Sequence, residues 1–402
     1  MKSYRLGFDM ESTAQSRVFK YNIFFWKCLG LWSDETSGYC YKYYSVAFQS
    51  FYSGMFTFLY TLNLMFTPFD LEIIISQSMF YFTQLAQITK IAMIVLRRKY
   101  ILRAFNMLDC TAFQGVDEET REIVNKNKCS YTNYWKACCV YYHISCFSII
   151  ILPIINYFVN GTVIELPLCQ YYFLGDNIRE KYYKVLFAYQ FTGIIMIMYS
   201  NLNTDTFING FLMMAITQFK VLYWKLAHLD STSLDQGVIN EKDKEILMID
   251  KLKQCLIHYD LILQYCNIIQ DVMSFAIFGQ FGTAAVTICV SMCFFLKPMT
   301  NEDLFITTFY LLAMIFQIFL PTYLGAELTE QSELIVTAAY NSDWIPRSES
   351  FKRSLGLLME RAKTPIVITG LKMFTLSLEN FTSIMKMAYS LFTLLKNSQV
   401  EA

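Results

Sequence analysis

Two sets of side chains in this chain have the types and spacing to do chemistry. Near the carboxy terminus Ser383, Lys386, Ser390, Leu394 and Asn397 follow steps of three, four, four and three residues, which puts them on one stripe of a helix. Four are polar and Leu394 is the apolar exception. A polar stripe with one apolar ring would suit a water-filled conduction path closed by dewetting at Leu394, with Asn397 just beyond it. The plainer alternative is a buried helix whose hydroxyls bond its own backbone and whose Lys386 pairs with a neighbouring carboxylate. The second set lies in the run 73–89, where Gln77, Phe80, Tyr81, Gln84 and Gln87 gather on one side, deepening toward Lys90. Aromatic area with a few amides is what a pocket for a small, mostly apolar molecule needs. Ser145, Ser148 and Leu152, Tyr189 and Met196, and Phe309 and Tyr310 fall at comparable depth in other apolar runs. Here the alternative is that Gln and Tyr bond adjacent helices.

Other chemistry is excluded by residue type. His143, His228 and His258 are the only histidines and lie far apart, with no Cys or carboxylate at ligand spacing, so no metal site is expected. The 12 cysteines include no CxxC pair, and most fall in apolar runs or in segments placed below in the reducing cytoplasm. No nucleotide loop, nucleophile elbow or protease motif is present, and four of the six long apolar spans carry no internal Asp, Glu, Lys or Arg, the other two ending at Lys90 and Asp205. The chain is therefore read as no enzyme, with no cofactor. Lys plus Arg and Asp plus Glu both number 33, which leaves no basic field for nucleic acid.

These residues need elements to position them, and the composition says which. At 55% hydrophobic and 16% charged the chain is an integral membrane protein in the lipid bilayer. Charge-free runs at 43–69, 73–89, 137–164, 185–204, 272–296 and 304–326 have the length and lack of alternation of membrane helices. A seventh crossing carries Lys372, Glu379 and Lys386, and so must be surrounded by protein or line water. The expected fold is an all-α, polytopic bundle of seven transmembrane helices. With the amino terminus inside, 25 Lys and Arg fall in inner segments and five in outer ones, which sets that orientation. Asn160-Gly161-Thr162 then forms a glycosylation sequon outside. The expected organisation is a cytoplasmic segment 1–43, helices one to six with long cytoplasmic extensions over 44–326, cytoplasmic anchor helices over 327–365, and the seventh helix with a short outer tail over 366–402. Tyr21 to Trp32 is expected to lie along the inner interface as an amphipathic anchor. Lys90 lies close enough to the inner boundary that it can snorkel. The apolar faces of the helix extensions exceed what one subunit would bury, which suggests an oligomer.

The stretch TLSLENFTSIMKMAYSLFTLLKN, Thr375 to Asn397, resembles the last helix of insect odorant receptors. So does PTYLGAELTEQSELIVTAAYNSDW from Pro321 to Trp344, while LLMERAKTPIVITG (Leu357 to Gly370) is similar to the family's segment before that helix and LGLW (Leu29 to Trp32) to its amino-terminal pattern. The resemblance implies a multi-pass subunit in the plasma membrane of olfactory sensory neurons, assembled with co-receptor subunits in a heterotetramer around a central pore. It implies a volatile odorant bound in the outer half of the bundle, a non-selective cation current, a gate at Leu394 with a polar ring at Asn397, and no need for a G protein. The odorant would be neutral and mostly apolar, such as an ester, a terpenoid or an aromatic alcohol. The segment 219–267 is far shorter than the corresponding co-receptor loop, so the chain looks like a tuning subunit. The related gustatory receptors end in a different pattern from Ala388 to Leu395, which makes a gustatory-type channel the second reading. A rhodopsin-like receptor has its amino terminus outside, against the basic-residue bias. A secondary transporter ranks lower, because no internal repeat is visible.

Overall fold

The computed structural model describes residues 14–33, 38–69, 71–160, 166–229, 241–295 and 301–400. In chain order the helices are α1 (Lys20–Cys28), α2 (Tyr39–Gln49), α3 (Phe56–Met65), α4 (Leu71–Leu96), α5 (Arg98–Leu108), α6 (Glu118–Asn160), α7 (Asp176–Lys181), α8 (Tyr183–Ala227), α9 (Glu241–Phe294), α10 (Asn301–Tyr340), α11 (Glu349–Ala362) and α12 (Leu378–Val400). A π-helical segment, Ser50–Met55, joins α2 to α3 into one rod. By length and composition alone, four helical stretches among the described residues could cross a membrane: Gln77–Leu96, Tyr183–Ala227, Asp243–Phe294 and Leu304–Tyr340. The chain has the seven-helix fold expected from its sequence, with the α2–α3 rod, α4, α6, α8, α9, α10 and α12 as the long elements.

The 45 residues of α8 make a helix of roughly 68 Å, about twice the hydrocarbon thickness, and the 54 of α9 make one longer still. The far ends of these helices do not project alone. Leu222, Leu226, Met248, Leu252, Leu328, Ile335, Phe351, Leu355 and Leu358 are all buried in one core formed with α5 and α11. His258 of α9 lies inside this core, 1% exposed. Its Nδ1 faces the Lys225 ammonium, which can only donate, so the ring accepts there and donates from Nε2 to Gln218 Oε1, 3.1 Å away. Burial, with Lys225 adding to it, holds this imidazole down at about 3, so it stays neutral as that hydrogen-bond pattern requires.

Nearly every residue of α8 from Ser200 to Phe219 is buried, which makes it the hub. At Gly210 a Cβ would overlap the Tyr131 and Phe19 rings, so glycine is what lets both rings lie against α8. The segment before α2 is not a free interfacial anchor. Trp26, Leu29, Leu31 and Trp32 are buried in the same core while Phe24 on the opposite face is 57% exposed. The apolar half of α1 docks on α8, fixed by Asn22, whose amide donates to Asn203 O (2.8 Å) and Thr206 Oγ1 (2.9 Å).

Two features depend on contacts between elements distant in sequence. Pro321 sits inside α10 without ending it. Its missing N–H frees the carbonyl of Gln317 one turn earlier, and Gln280 Nε2 from α9 donates to that oxygen at 2.9 Å. Ahead of α12 the chain forms a short antiparallel hairpin of β1 (Thr369–Gly370) and β2 (Phe374–Thr375), turned by Leu371 and Lys372, both in the left-handed region. The hairpin is tied to α9 through Gln270, which exchanges two hydrogen bonds with the Thr369 backbone, and through Ser274 Oγ, which accepts from Leu371 N. The last helix thus starts at Leu378, with Ser377 Oγ accepting from Asn380 N as its cap.

Candidate ligand-binding site

Five helices line a cavity of about 160 Å³. α3 supplies Phe56 and Tyr60; α4 Phe80, Thr83 and Gln84; α6 Tyr134, Tyr142, Ser145 and Cys146; α8 Ile194, Met198, Asn201, Asp205 and Asn209; and α10 Tyr310, Met314, Phe316 and Gln317. From Ile194 to Asn209 the lining runs roughly 22 Å along α8, apolar at the first end and polar at the second. Such a shape gives apolar area for affinity and a polar end for orientation.

The aromatic hydroxyls are held by backbone carbonyls. Tyr60 donates to Gln77 O at 2.9 Å and Tyr310 to Met79 O at 2.8 Å, and Thr83 bonds the Tyr310 hydroxyl. These bonds fix both rings and pin α4 to its neighbours. The polar end is built on a buried ion pair. Lys90 Nζ lies 2.5 Å from Asp205 Oδ1 and donates to Asn201 Oδ1 at 3.2 Å. The second carboxylate oxygen accepts from Tyr142 (2.8 Å) and from Gln317 Nε2 (2.6 Å). Lys90 therefore does not snorkel. Its side chain has no exposed surface, and Asp205 neutralises it in place.

Of the residues expected at the site, Phe80, Gln84, Ser145 and Tyr310 line the cavity. Gln77 is buried beside it, where its amide oxygen accepts from Asn63 and Thr67. Tyr81 stands behind the wall, packed edge-on to Tyr60 with centroids 5.7 Å apart. Ser148 donates to Ser145 O, Tyr189 to Phe51 O, and Phe309 stacks near Phe305 while its carbonyl accepts from Tyr141. Met196 packs on the main core. The Leu152 and Asn160 side chains lie outside the described residues, as do Gly161 and Thr162 of the sequon. The polar end was missed, although Asn201, Asp205 and Asn209 recur at four-residue steps and so share one face of α8.

The stripe on α12 is on the side away from the chain's own bundle. Phe381, Ile384, Met385 and the fully buried Ala388 pack toward α9 and α10. Ser383, Lys386, Ser390, Leu394 and Asn397 are all exposed, and Leu394 is 64% so. No carboxylate among the described residues pairs with Lys386. No His, Cys, Asp or Glu grouping able to hold a metal occurs among the described residues.

Residues 70–389 match the model of the 7tm odorant receptor family. Odorant receptor Or1 of Anopheles gambiae is 24% identical over 397 residues, covering 93% of this chain and 94% of that receptor. Odorant receptor 2a of Drosophila melanogaster is 27% identical over 218 residues, a match that spans 53% of this chain and about half, 55%, of that relative. The solved structure of the insect olfactory receptor OR5 from Machilis hrabei in complex with eugenol superposes with a TM-score of 0.80, covering 96% of this chain and 97% of that one, at 15% identity.

Proposed function

The chain belongs to the 7tm odorant receptor family, and from that premise we propose that it is an odorant receptor subunit that binds a small volatile in the cavity described above and thereby opens a cation pore lined by α12. It works in the plasma membrane of olfactory sensory neurons, with the amino terminus inside and a glycan on Asn160 outside. Co-receptor subunits complete a heterotetramer, and no G protein takes part.

The observation that carries this reading is the pairing of an aromatic-lined cavity with a polar stripe that faces away from the bundle. The cavity volume of about 160 Å³ compares with the roughly 150 Å³ of an apolar protein cavity that holds benzene. A single-ring or similarly compact volatile therefore fits, as does a ligand that reorders the lining side chains slightly. An exposed stripe containing Lys386 and Leu394 has no role within one chain; around a shared axis with other subunits it lines water and closes on the leucine. The cavity and α12 are linked through α10, which carries Tyr310 and Met314 on its lining and packs against Ala388. A ligand moves the equilibrium toward the open state by as much as it binds that state better.

The test is whole-cell current in cells expressing this chain, alone and with an insect co-receptor, during a volatile panel and with guanine-nucleotide signalling blocked. A rapid cation current that persists under the block is the expected result. Silence across the panel, with the chain at the surface beside the co-receptor, overturns the reading.

A further inference from the structure

Tyr60 and Tyr310 give their hydroxyl protons to backbone carbonyls, and Tyr142 and Gln317 donate to Asp205. Two acceptors on the lining have no such partner. Gln84 Oε1 and Asn209 Oδ1 are buried with no hydrogen-bond partner, in residues 3% and 4% exposed. The amide of Gln84 cannot be turned round to cure this. Thr57 gives its one hydroxyl proton to Ser53 O at 2.7 Å, so its oxygen must accept, and only Gln84 Nε2, 3.1 Å away, can donate to it. Gln84 is thus held with its nitrogen on α3 and its oxygen left over.

A buried acceptor without a donor is costly, and a ligand that supplies the donor recovers that cost on binding. We propose that the ligand is a compact alcohol or phenol whose O–H donates to Gln84 Oε1 while its hydrocarbon part occupies the Phe80–Met314 end. Esters, ketones and ethers only accept. In this cavity they leave Gln84 Oε1 unpaired. An amine would also donate, but it would bring a positive charge to a site where Asp205 is already neutralised by Lys90.

This inference rests on the cavity being the odorant site, and the experiment separates the two. Benzyl alcohol, 4-methylphenol and hexan-1-ol are each compared with their O-methyl ethers on cells carrying the chain and the co-receptor. The hydroxyl compounds are expected to act at about tenfold lower concentration than the ethers, and Gln84→Met to remove most of that difference while leaving the ether responses in place. If Gln84→Met does not reach the surface, the wild-type comparison decides alone. Ethers as potent as the alcohols overturn the donor requirement and leave the receptor reading standing. A hydroxyl preference unchanged in Gln84→Met overturns the assignment to this residue. Absence of any response to either series and to a wider panel, with surface expression, overturns the receptor reading itself.

Discussion

Asp205→Asn is expected to abolish surface expression, and Lys90→Met to reduce it less. Removing one partner of a buried ion pair leaves an uncompensated charge at a cost of about 3–5 kcal/mol, comparable with the whole stability of many domains. The two variants differ in what the remaining charge retains. In Lys90→Met the carboxylate keeps Tyr142 and Gln317 as donors. In Asp205→Asn the ammonium loses its counter-ion and keeps Asn201, with a neutral amide in place of the carboxylate. The double variant Lys90→Met with Asp205→Asn buries no net charge and is expected to recover much of the wild-type level. Surface biotinylation with thermal unfolding in detergent checks the order: Asp205→Asn lowest, Lys90→Met next, then the double variant. A double variant no better than the worse single one would show that the pair contributes through packing and not through charge.

Leu394→Ala is expected to raise the resting current about tenfold. A leucine side chain packed against its counterparts contributes about 1.5–3 kcal/mol through burial, and most of that is lost on truncation. A shift of 1.4 kcal/mol toward the open state is a factor of ten in the closed-to-open ratio. In the isolated chain Leu394 is 64% exposed, so the substitution costs little within the subunit and acts through the assembly. Resting conductance is compared with wild type at matched surface density. An unchanged resting current, with ligand responses intact, would remove Leu394 from the gate.

Much of the architecture could be read from the sequence because lipid is a demanding solvent. Charge-free runs, one polar crossing and helices continuing beyond the membrane follow from residue type alone, and α8, α9 and α10 have that form. The hairpin before α12 was invisible, since two-residue strands carry no periodicity and Leu371 and Lys372 adopt left-handed backbone angles without glycine. The site was half legible. Aromatic and amide residues of α4 and α10 announced an apolar pocket, and Phe80, Gln84 and Tyr310 line it. Its polar end was not foreseen, because Lys90 and Asp205 were each close enough to the inner boundary to reach water alone. Pairing across 115 positions of sequence, a tertiary fact, keeps both inside. Tyr81, singled out for its type, sits behind Tyr60 because helix spacing specifies a face and not which residue of that face reaches the void.

The central claim is that the outward stripe of α12 lines the cation path, and thiol modification tests it most directly. Ser390→Cys is placed on the stripe, and Ala388→Cys on the face buried against α9 and α10. Both are expressed with the co-receptor, and a positively charged methanethiosulfonate reagent is applied from outside during odorant-evoked current. The account predicts progressive, irreversible block in Ser390→Cys, faster with odorant than without, and no more change in Ala388→Cys than in the parent chain. Block at Ala388→Cys together with none at Ser390→Cys would contradict it and place the conduction path elsewhere.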